Sequence, residues 1–145
     1  MLVYTWQDFA LDAQRLAGYI MCGPRAHTAI YAIPRGGLVL GVYLSHTLHL
    51  PLIIDEPPKV EDCLNVLVVD DNAVTGSSIA PFIKRGFTTA VLINNPVGNI
   101  NSPTYVARTS LDWPVFPWEV DSGIALDDNE ERPNVAHSII SDAAN

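Results

Sequence analysis

Apolar residues along the chain follow two kinds of pattern. Behind Thr5 they recur at helical spacing as far as Met21, whereas over residues 29–33 and 66–69 they are consecutive and rich in β-branched side chains. The first pattern is typical of an amphipathic helix, and the second is typical of a strand that is covered on both faces. The segment Thr5-Trp6-Gln7-Asp8 places a hydroxyl three residues ahead of a carboxylate, which predicts a cap at the start of the first helix.

Strands and helices are predicted to alternate. The predicted elements are a helix over 6–21, a strand over 29–33, a helix over 38–48, a short strand over 51–54, a strand over 66–69, a helix over 78–85, and strands over 89–93 and 104–108. This is the order of βαβ units, which predicts an α/β fold with a mainly parallel central sheet flanked by helices on both faces. Residues 55–65 are predicted to be a loop, and residues 113–118 are predicted to form a small aromatic hood.

Length and composition favour one domain. The chain has 145 residues, of which 48% are hydrophobic and 17% are charged, as expected for a single globular core. We expect residues 1–121 to form this domain and residues 122–145 to form a flexible acidic tail. Between Glu119 and the end of the chain, seven acids stand beside the single Arg132.

Charge and cysteine spacing exclude several classes of protein. Sixteen acids and eight basic residues give a net charge of −8, which argues against a nucleic-acid partner because phosphate backbones are bound by clustered cations. No segment is long and apolar enough to span a bilayer, so we expect a cytoplasmic protein without a membrane partner. Cys22 and Cys63 lack zinc-ligand spacing, and we expect two buried thiols.

The segment from Val68 to Ser78 carries the candidate chemistry. Two carboxylates, Asp70 and Asp71, follow a predicted strand, and Thr75-Gly76-Ser77-Ser78 opens the next predicted helix. Ligands of parallel sheets bind beyond the carboxyl ends of the strands, and amides at a helix start bind phosphate. The carboxylates suit a ribose diol or hydrated magnesium. A solvated turn followed by an ordinary helix cap is the alternative interpretation.

The same residues resemble a known family. A hydrophobic strand, Asp-Asp, three residues and Thr-Gly-Ser-Ser is similar to the phosphoribosyl-diphosphate (PRPP) motif of the type I phosphoribosyltransferases. Residues 32–39, Ala-Ile-Pro-Arg-Gly-Gly-Leu-Val, resemble the diphosphate loop of that family. Within the family, the order of motifs over residues 4–119 is similar to the bacterial xanthine-guanine subfamily, including the Pro96-Val97-Gly98 turn and the late segment from Trp113 to Trp118.

The resemblance implies a site and a reaction. It implies transfer of a 5-phosphoribosyl group from PRPP to a purine-like base with magnesium, by a homo-oligomer. Asp70, Asp71 and Arg35 would carry the catalysis, with Asp71 as the metal ligand. The implied substrate-binding residues are Arg35, Gly36, Gly37, Asp70, Asp71, Asn72, Ala73, Val74, Thr75, Gly76, Ser77, Ser78, Asn95, Trp113 and Glu119. Trp113 would stack on the base, and Glu119 would contact the base edge or magnesium.

Three departures leave a second interpretation open. Val74 stands where purine members usually carry an acid, Asn95 stands where they carry a lysine, and the loop over 55–65 is short for a lid. A PRPP-binding or nucleotide-binding regulatory protein with little or no turnover would tolerate all three. A structural domain without a ligand is the third possibility. Release of diphosphate from PRPP distinguishes the enzyme from the regulatory protein.

Overall fold

The computed structural model describes residues 1–99 and 101–119 of the chain. The elements in this part of the chain are β1 (Leu2–Val3), α1 (Trp6–Cys22), β2 (Ala29–Ala32), α2 (Gly37–Leu48), β3 (Leu52–Ile53), β4 (Val66–Ala73), α3 (Ala80–Lys84), β5 (Thr88–Asn94), β6 (Tyr105–Thr109) and β7 (Pro114–Val115). The predicted tail over residues 122–145 lies outside the described residues.

Five strands form one parallel sheet. Their order is β3-β2-β4-β5-β6, and every neighbouring pair is parallel, so the prediction of a mainly parallel sheet is confirmed. The carboxyl ends of the strands therefore share one edge of the sheet, with β4 at the centre. Segments that follow β2, β4, β5 and β6 meet at this edge, which we call the carboxyl edge.

The central strand alternates between two cores. Leu67 and Val69 pack in a cluster with α1 and α2, whereas Val66 and Val68 pack with Phe82 of α3 on the other face. Successive side chains of a strand point to opposite faces, so four consecutive apolar residues fill both cores. The prediction of helices on both faces is confirmed.

The first helix has the predicted cap. The Thr5 hydroxyl accepts a hydrogen bond from the Asp8 backbone N–H at 3.1 Å, and the Asp8 carboxylate accepts one from the Thr5 N–H at 2.9 Å. Two backbone donors at the helix start are thereby satisfied. The helix ends at Cys22, which is exposed, while Cys63 is half-buried, and both are free thiols. The expectation of two buried thiols is wrong for Cys22, because it lies off the apolar face of α1.

Two bounds near the predicted site differ from the prediction. Strand β4 continues through Asp70 to Ala73, because this stretch pairs with β5 up to Asn94. The partner strand satisfies the backbone whatever the side chains are, so polar residues do not end the strand. Helix α3 begins at Ala80 instead of residue 78, and residues 77–79 form a turn before it.

The segment over 113–118 is folded against the amino terminus. Its β7 pairs with β1 in a separate two-stranded parallel sheet that the sequence did not predict. Phe116 and Trp118 stack with ring centroids 4.7 Å apart, and Phe9 packs edge-on to Trp118 at 5.6 Å. This packing anchors the predicted aromatic hood on α1. No helix within residues 1–99 and 101–119 combines the length and hydropathy needed to cross a membrane.

Candidate active site

Asp70 and Asp71 lie inside the sheet at its carboxyl edge. They are only 1% and 2% exposed, so they are buried residues of β4 and not acids of a solvated turn. Asp70 Oδ1 accepts a hydrogen bond from the Asp71 N–H at 2.9 Å, and Asp71 Oδ1 accepts one from Asn72 Nδ2 at 3.0 Å. Carboxylates this deep are desolvated, which strengthens each hydrogen bond that they accept.

The loop after β2 lies directly on these carboxylates. A Cβ atom at Gly36 would overlap the Asp71 carboxylate, and one at Gly37 would lie 2.7 Å from the Val69 carbonyl oxygen and 3.1 Å from Asp70 Cα. Only glycine allows this approach, so the two glycines bring the predicted diphosphate loop against the predicted ribose site. Both motifs that carried the resemblance therefore belong to one site.

Backbone polarity in this loop suits an anion. Helix α2 begins at Gly37 with no acidic residue in its first turn, and its positive dipole end faces the two aspartates. The N–H groups of Gly37 and Leu38 are already occupied, because they donate to the carbonyls of Ile33 and Arg35 at 3.0 and 3.1 Å, so the favourable term for an anion here is the helix dipole. Arg35 stands at the tip of the loop with its side chain exposed, after a cis peptide bond from Pro34.

Residues 74–78 form a compact turn after β4. Gly76 adopts a positive φ of 73°, which side-chain-bearing residues rarely adopt. The hydroxyl oxygens of Thr75 and Ser77 lie 3.0 Å apart and both residues are exposed, with Ser78 half-buried behind them. The amides of residues 75–78 were predicted to lie in the first turn of a helix, but they precede α3, because the helix begins only at Ala80.

The residues of the turn after β5 lie beside this loop. Asn95 donates its backbone N–H to the Ala73 carbonyl at 3.3 Å. Its side-chain oxygen accepts from the N–H groups of Val97 and Gly98, both at 3.0 Å. The Asn95 oxygen therefore closes its own turn, and only the amide nitrogen of this side chain remains to read a base. Val74 has an apolar side chain, which cannot accept a proton, and this side chain is also buried.

Trp113 and Glu119 occupy different parts of the hood. Trp113 follows β6 at the carboxyl edge and is half-buried, and among the described residues its ring joins no aromatic pair. Glu119 Oε2 accepts a hydrogen bond from the Phe116 N–H at 3.0 Å, and the Glu119 N–H donates to the Phe116 carbonyl at 3.0 Å. Glu119 thus closes a turn of the hood, whereas Trp113 is half-buried and makes no aromatic pair among the described residues.

The predicted lid loop crosses from one edge of the sheet to the other. It leaves β3 at the carboxyl edge, but the Asn65 carbonyl accepts from the Thr28 N–H at 2.8 Å, just ahead of β2. Its second half, with a short 3-10 helix (Val60–Asp62), therefore lies at the amino edge, near Gly86. Only the first half, which includes Lys59, is left to reach the site.

Sequence reasoning missed a buried ionic network under the hood. Asp12 is 0% exposed and accepts a hydrogen bond from the Tyr4 hydroxyl at 2.8 Å, while Arg108 of β6 contacts Asp12 at 3.1 Å and Asp8 at 3.2 Å. Burial and the Asp12 hydrogen bond raise the pKa of Tyr4 far above its usual range. The signal in the sequence was Asp12, an acid on the otherwise apolar face of α1, which indicates a buried partner of opposite charge. The network joins α1 to β6, and its Tyr4 ring packs against Phe116 of the hood at 5.0 Å.

Comparisons with known proteins give similar chains at 21 to 27% sequence identity. No protein family model matches the chain. A xanthine-guanine phosphoribosyltransferase from Gluconobacter oxydans is 27% identical over 139 residues, which cover 79% of this chain and 82% of that protein. The purine phosphoribosyltransferase structure from Pyrococcus horikoshii has a TM-score of 0.70 at 24% identity, over 86% of this chain and 98% of that one. A hypothetical protein from Neisseria gonorrhoeae, solved with bound ppGpp, has a TM-score of 0.67 at 21% identity, over 99% and 97% of the two chains.

Proposed function

We propose that this chain, a relative of the purine phosphoribosyltransferases with their type I fold, transfers a 5-phosphoribosyl group from PRPP to a purine-like base and releases diphosphate. The observation that carries the proposal is the contact of Gly36 and Gly37 with Asp71 and Asp70. PRPP carries its diphosphate on ribose C1, next to the two free ribose hydroxyl groups. A site for it therefore needs an anion-binding loop beside hydrogen-bond acceptors, and this contact joins the two.

Each part of the substrate has a candidate partner. Asp70 and Asp71 accept the ribose hydroxyls, the residues from Thr75 to Ser78 bind the 5′-phosphate, and the loop from Arg35 to Gly37 binds the diphosphate. Trp113 offers its ring face to the base. The bond from ribose C1 to the diphosphate oxygen breaks, a bond from C1 to a ring nitrogen forms, and diphosphate leaves with the electron pair.

The chain's contribution to the rate is positioning and electrostatics. The transition state resembles an oxocarbenium ion, so positive charge develops on the ribose while negative charge develops on diphosphate. The buried carboxylates lie beside the first charge, and Arg35 with the start of α2 lies beside the second. Because Val74 is buried and apolar, the proton of the ring nitrogen goes to water or to another acid, unless the attacking nitrogen carries none.

The residues at the site fit magnesium that arrives with the substrate. No group of three or more His, Cys, Asp or Glu residues that could hold a metal occurs within residues 1–99 and 101–119. Mg²⁺ is usually bound by one or two carboxylates together with substrate phosphates, and Asp71, with Asp70 beside it, supplies that number. When bound, the ion neutralises charge on the leaving diphosphate.

A regulatory protein that binds a nucleotide without turnover is the second candidate. Two features favour it: the Asn95 oxygen is occupied by its own turn, and half of the loop over 55–65 lies at the far edge of the sheet. A short lid leaves the reacting centre open to water, which slows transfer.

The deciding experiment follows diphosphate release. The chain is incubated with PRPP, Mg²⁺ and each of guanine, xanthine, hypoxanthine and adenine, with a reaction lacking base as control. Base-dependent release supports the transferase. Binding of PRPP, GMP or ppGpp in a titration without release for any base favours the regulatory protein, and absence of all binding contradicts both proposals.

A further inference from the structure

Asn99 lies behind the phosphate loop instead of in it. It is 4% exposed, and its side-chain amide donates to Asn94 Oδ1 at 3.1 Å. Its Oδ1 accepts from the Asn101 N–H at 2.9 Å, and its own N–H donates to the Asn95 carbonyl at 3.0 Å. Every polar group named here is paired inside the protein, so the side chain is held in one orientation.

This orientation places the Asn99 carboxamide against Gly76. A Cβ atom at Gly76 would overlap the Asn99 side chain, and a Cβ atom at Gly98 would lie 2.7 Å from the Val74 carbonyl oxygen. The turn after β4 and the turn after β5 are therefore in close contact, and a glycine in each turn makes room for a residue of the other. The left-handed backbone at Gly76 is fixed from behind by a buried amide whose own position is set by Asn94.

We propose that Asn99 is a positioning residue for the 5′-phosphate: it holds the turn over 74–78 in the conformation that presents Thr75 and Ser77 to the ligand. The proposal rests on the proposed function of the same loop. Gly76 lies between Thr75 and Ser77, so its close approach to Asn99 acts on the middle of this short turn. A loop held in its binding conformation loses less conformational entropy when the ligand arrives, and that difference appears as affinity.

The first test compares Asn99→Ala with a matched control. The control is Thr89→Val, which also removes a buried polar contact: the Thr89 hydroxyl accepts from the Thr104 N–H at 3.1 Å. This contact lies near the opposite end of β5 from Asn99. We expect Asn99→Ala to raise the Kd for GMP roughly tenfold, which corresponds to about 1.4 kcal/mol. The Kd for magnesium diphosphate, a ligand of the loop from Arg35 to Gly37, should stay unchanged.

Three outcomes of this titration overturn the proposal. They are an unchanged Kd for GMP in Asn99→Ala, an equal loss in Thr89→Val, and an equal loss of magnesium diphosphate binding. The last two would mean that Asn99 supports the fold in general and not this loop. Circular dichroism and the thermal midpoint of both variants, measured first, ensure that folded proteins are compared.

The second test needs no ligand. Gly76→Ala is made in the native chain and in the Asn99→Gly variant, and all four proteins are unfolded in urea. If the two residues touch, the loss caused by Gly76→Ala is smaller in the Asn99→Gly background, because only the backbone strain remains. Additive effects overturn the proposal whatever the chain binds. Coupling in a chain that binds neither PRPP nor GMP means that the proposed function has failed, and with it the phosphate-binding role of Asn99.

Discussion

The Asp71 carboxylate lies so close to Gly36 that any side chain at position 36 would overlap it. One residue belongs to the loop after β2 and the other to the central strand, 35 positions further along the chain. Their contact sets the distance between the loop proposed to bind diphosphate and the carboxylate proposed to bind ribose. It also gives the site a structural requirement that can be tested with a single methyl group.

Gly36→Ala should slow transfer strongly while leaving the protein folded. The new methyl group forces the loop away from Asp71, and a displacement of about 1 Å at a reacting centre can lower kcat/KM roughly a hundredfold. Diphosphate release measures the effect. Gly18→Ala is the matched control, because a Cβ atom at Gly18 in α1 meets nothing within 4 Å. Full activity in Gly36→Ala would contradict the proposed arrangement.

Asp71→Asn should weaken PRPP binding without unfolding the chain. Asp71 is buried, but the fold is retained because the amide has nearly the same volume and keeps the oxygen that accepts from Asn72 Nδ2. Loss of one charge-assisted hydrogen bond predicts a Kd raised at least about tenfold. Calorimetric titration of PRPP with Mg²⁺ measures it.

The control for that titration is Asp112→Asn, which changes an exposed acid in the loop between β6 and β7. Its affinity for PRPP should equal that of the native chain. An Asp71→Asn variant with native affinity would remove Asp71 from the site, and an equal loss in both variants would attribute the effect to overall charge.

The sequence predicted the parts of this site whose position follows from strand order. Consecutive apolar residues identified β2 and β4, and in a parallel sheet the segments after both strands must meet at the carboxyl edge. The contact between the two predicted loops was therefore foreseeable. The extension of β4 through Asp70 was not, because it depends on pairing with β5 and not on the residues of β4 themselves.

Other features left no periodic signal. Strands β1 and β7 contain two residues each, too few for alternation to show. Asn99 is one amide in a polar turn, and only its burial against Gly76 distinguishes it from solvated neighbours. The roles assigned from the resemblance to Asn95 and Glu119 stay predictions, although both side chains already bind turns of their own.

Protonation of His27 should lower stability as the pH falls. Burial and the charge of Arg25 lower the pKa of His27 below the ordinary value of 6.5. As the pH drops through 6.5 the unfolded chain takes up a proton that the folded chain does not, so the free energy of unfolding decreases. Urea unfolding between about pH 5.5 and 7.5 measures this slope, a window set by the ordinary histidine pKa.

His27→Gln should flatten that dependence, whatever it does to stability at neutral pH. His46→Gln, at an exposed position in the last turn of α2, is the matched control for the loss of a histidine. A slope that persists in His27→Gln would assign the effect to another group.

Arg108→Leu should destabilise the protein by about 2 to 3 kcal/mol, because it leaves the buried Asp12 carboxylate without its closest cation. This value lies below the usual range of about 3 to 5 kcal/mol for a broken buried pair, since the Arg108 side chain is 32% exposed. Arg15→Leu is the matched control: Arg15 contacts the same carboxylate at 3.4 Å but is 48% exposed. Equal losses of unfolding free energy in the two variants would contradict a special role for Arg108.

Trp113→Ala and Trp118→Ala should affect different properties of the protein. Trp118 stacks on Phe116 and packs against Phe9, so its removal opens a cavity and should lower the free energy of unfolding by about 3 kcal/mol. Trp113 joins no aromatic pair among the described residues, and its removal should take away a stacking platform worth about 1 to 3 kcal/mol per base.

The measurement is therefore a pair of numbers for each variant, the KM for the base and the urea midpoint. Trp113→Ala should raise the KM for the base by roughly tenfold or more and leave the KM for PRPP unchanged, since about 1.4 kcal/mol of lost stacking corresponds to a factor of ten. Trp118→Ala should lower the urea midpoint more than it changes the KM for the base. If Trp113→Ala lowers the midpoint as much as Trp118→Ala does and leaves the KM for the base as it was, Trp113 is a core residue and the base binds elsewhere.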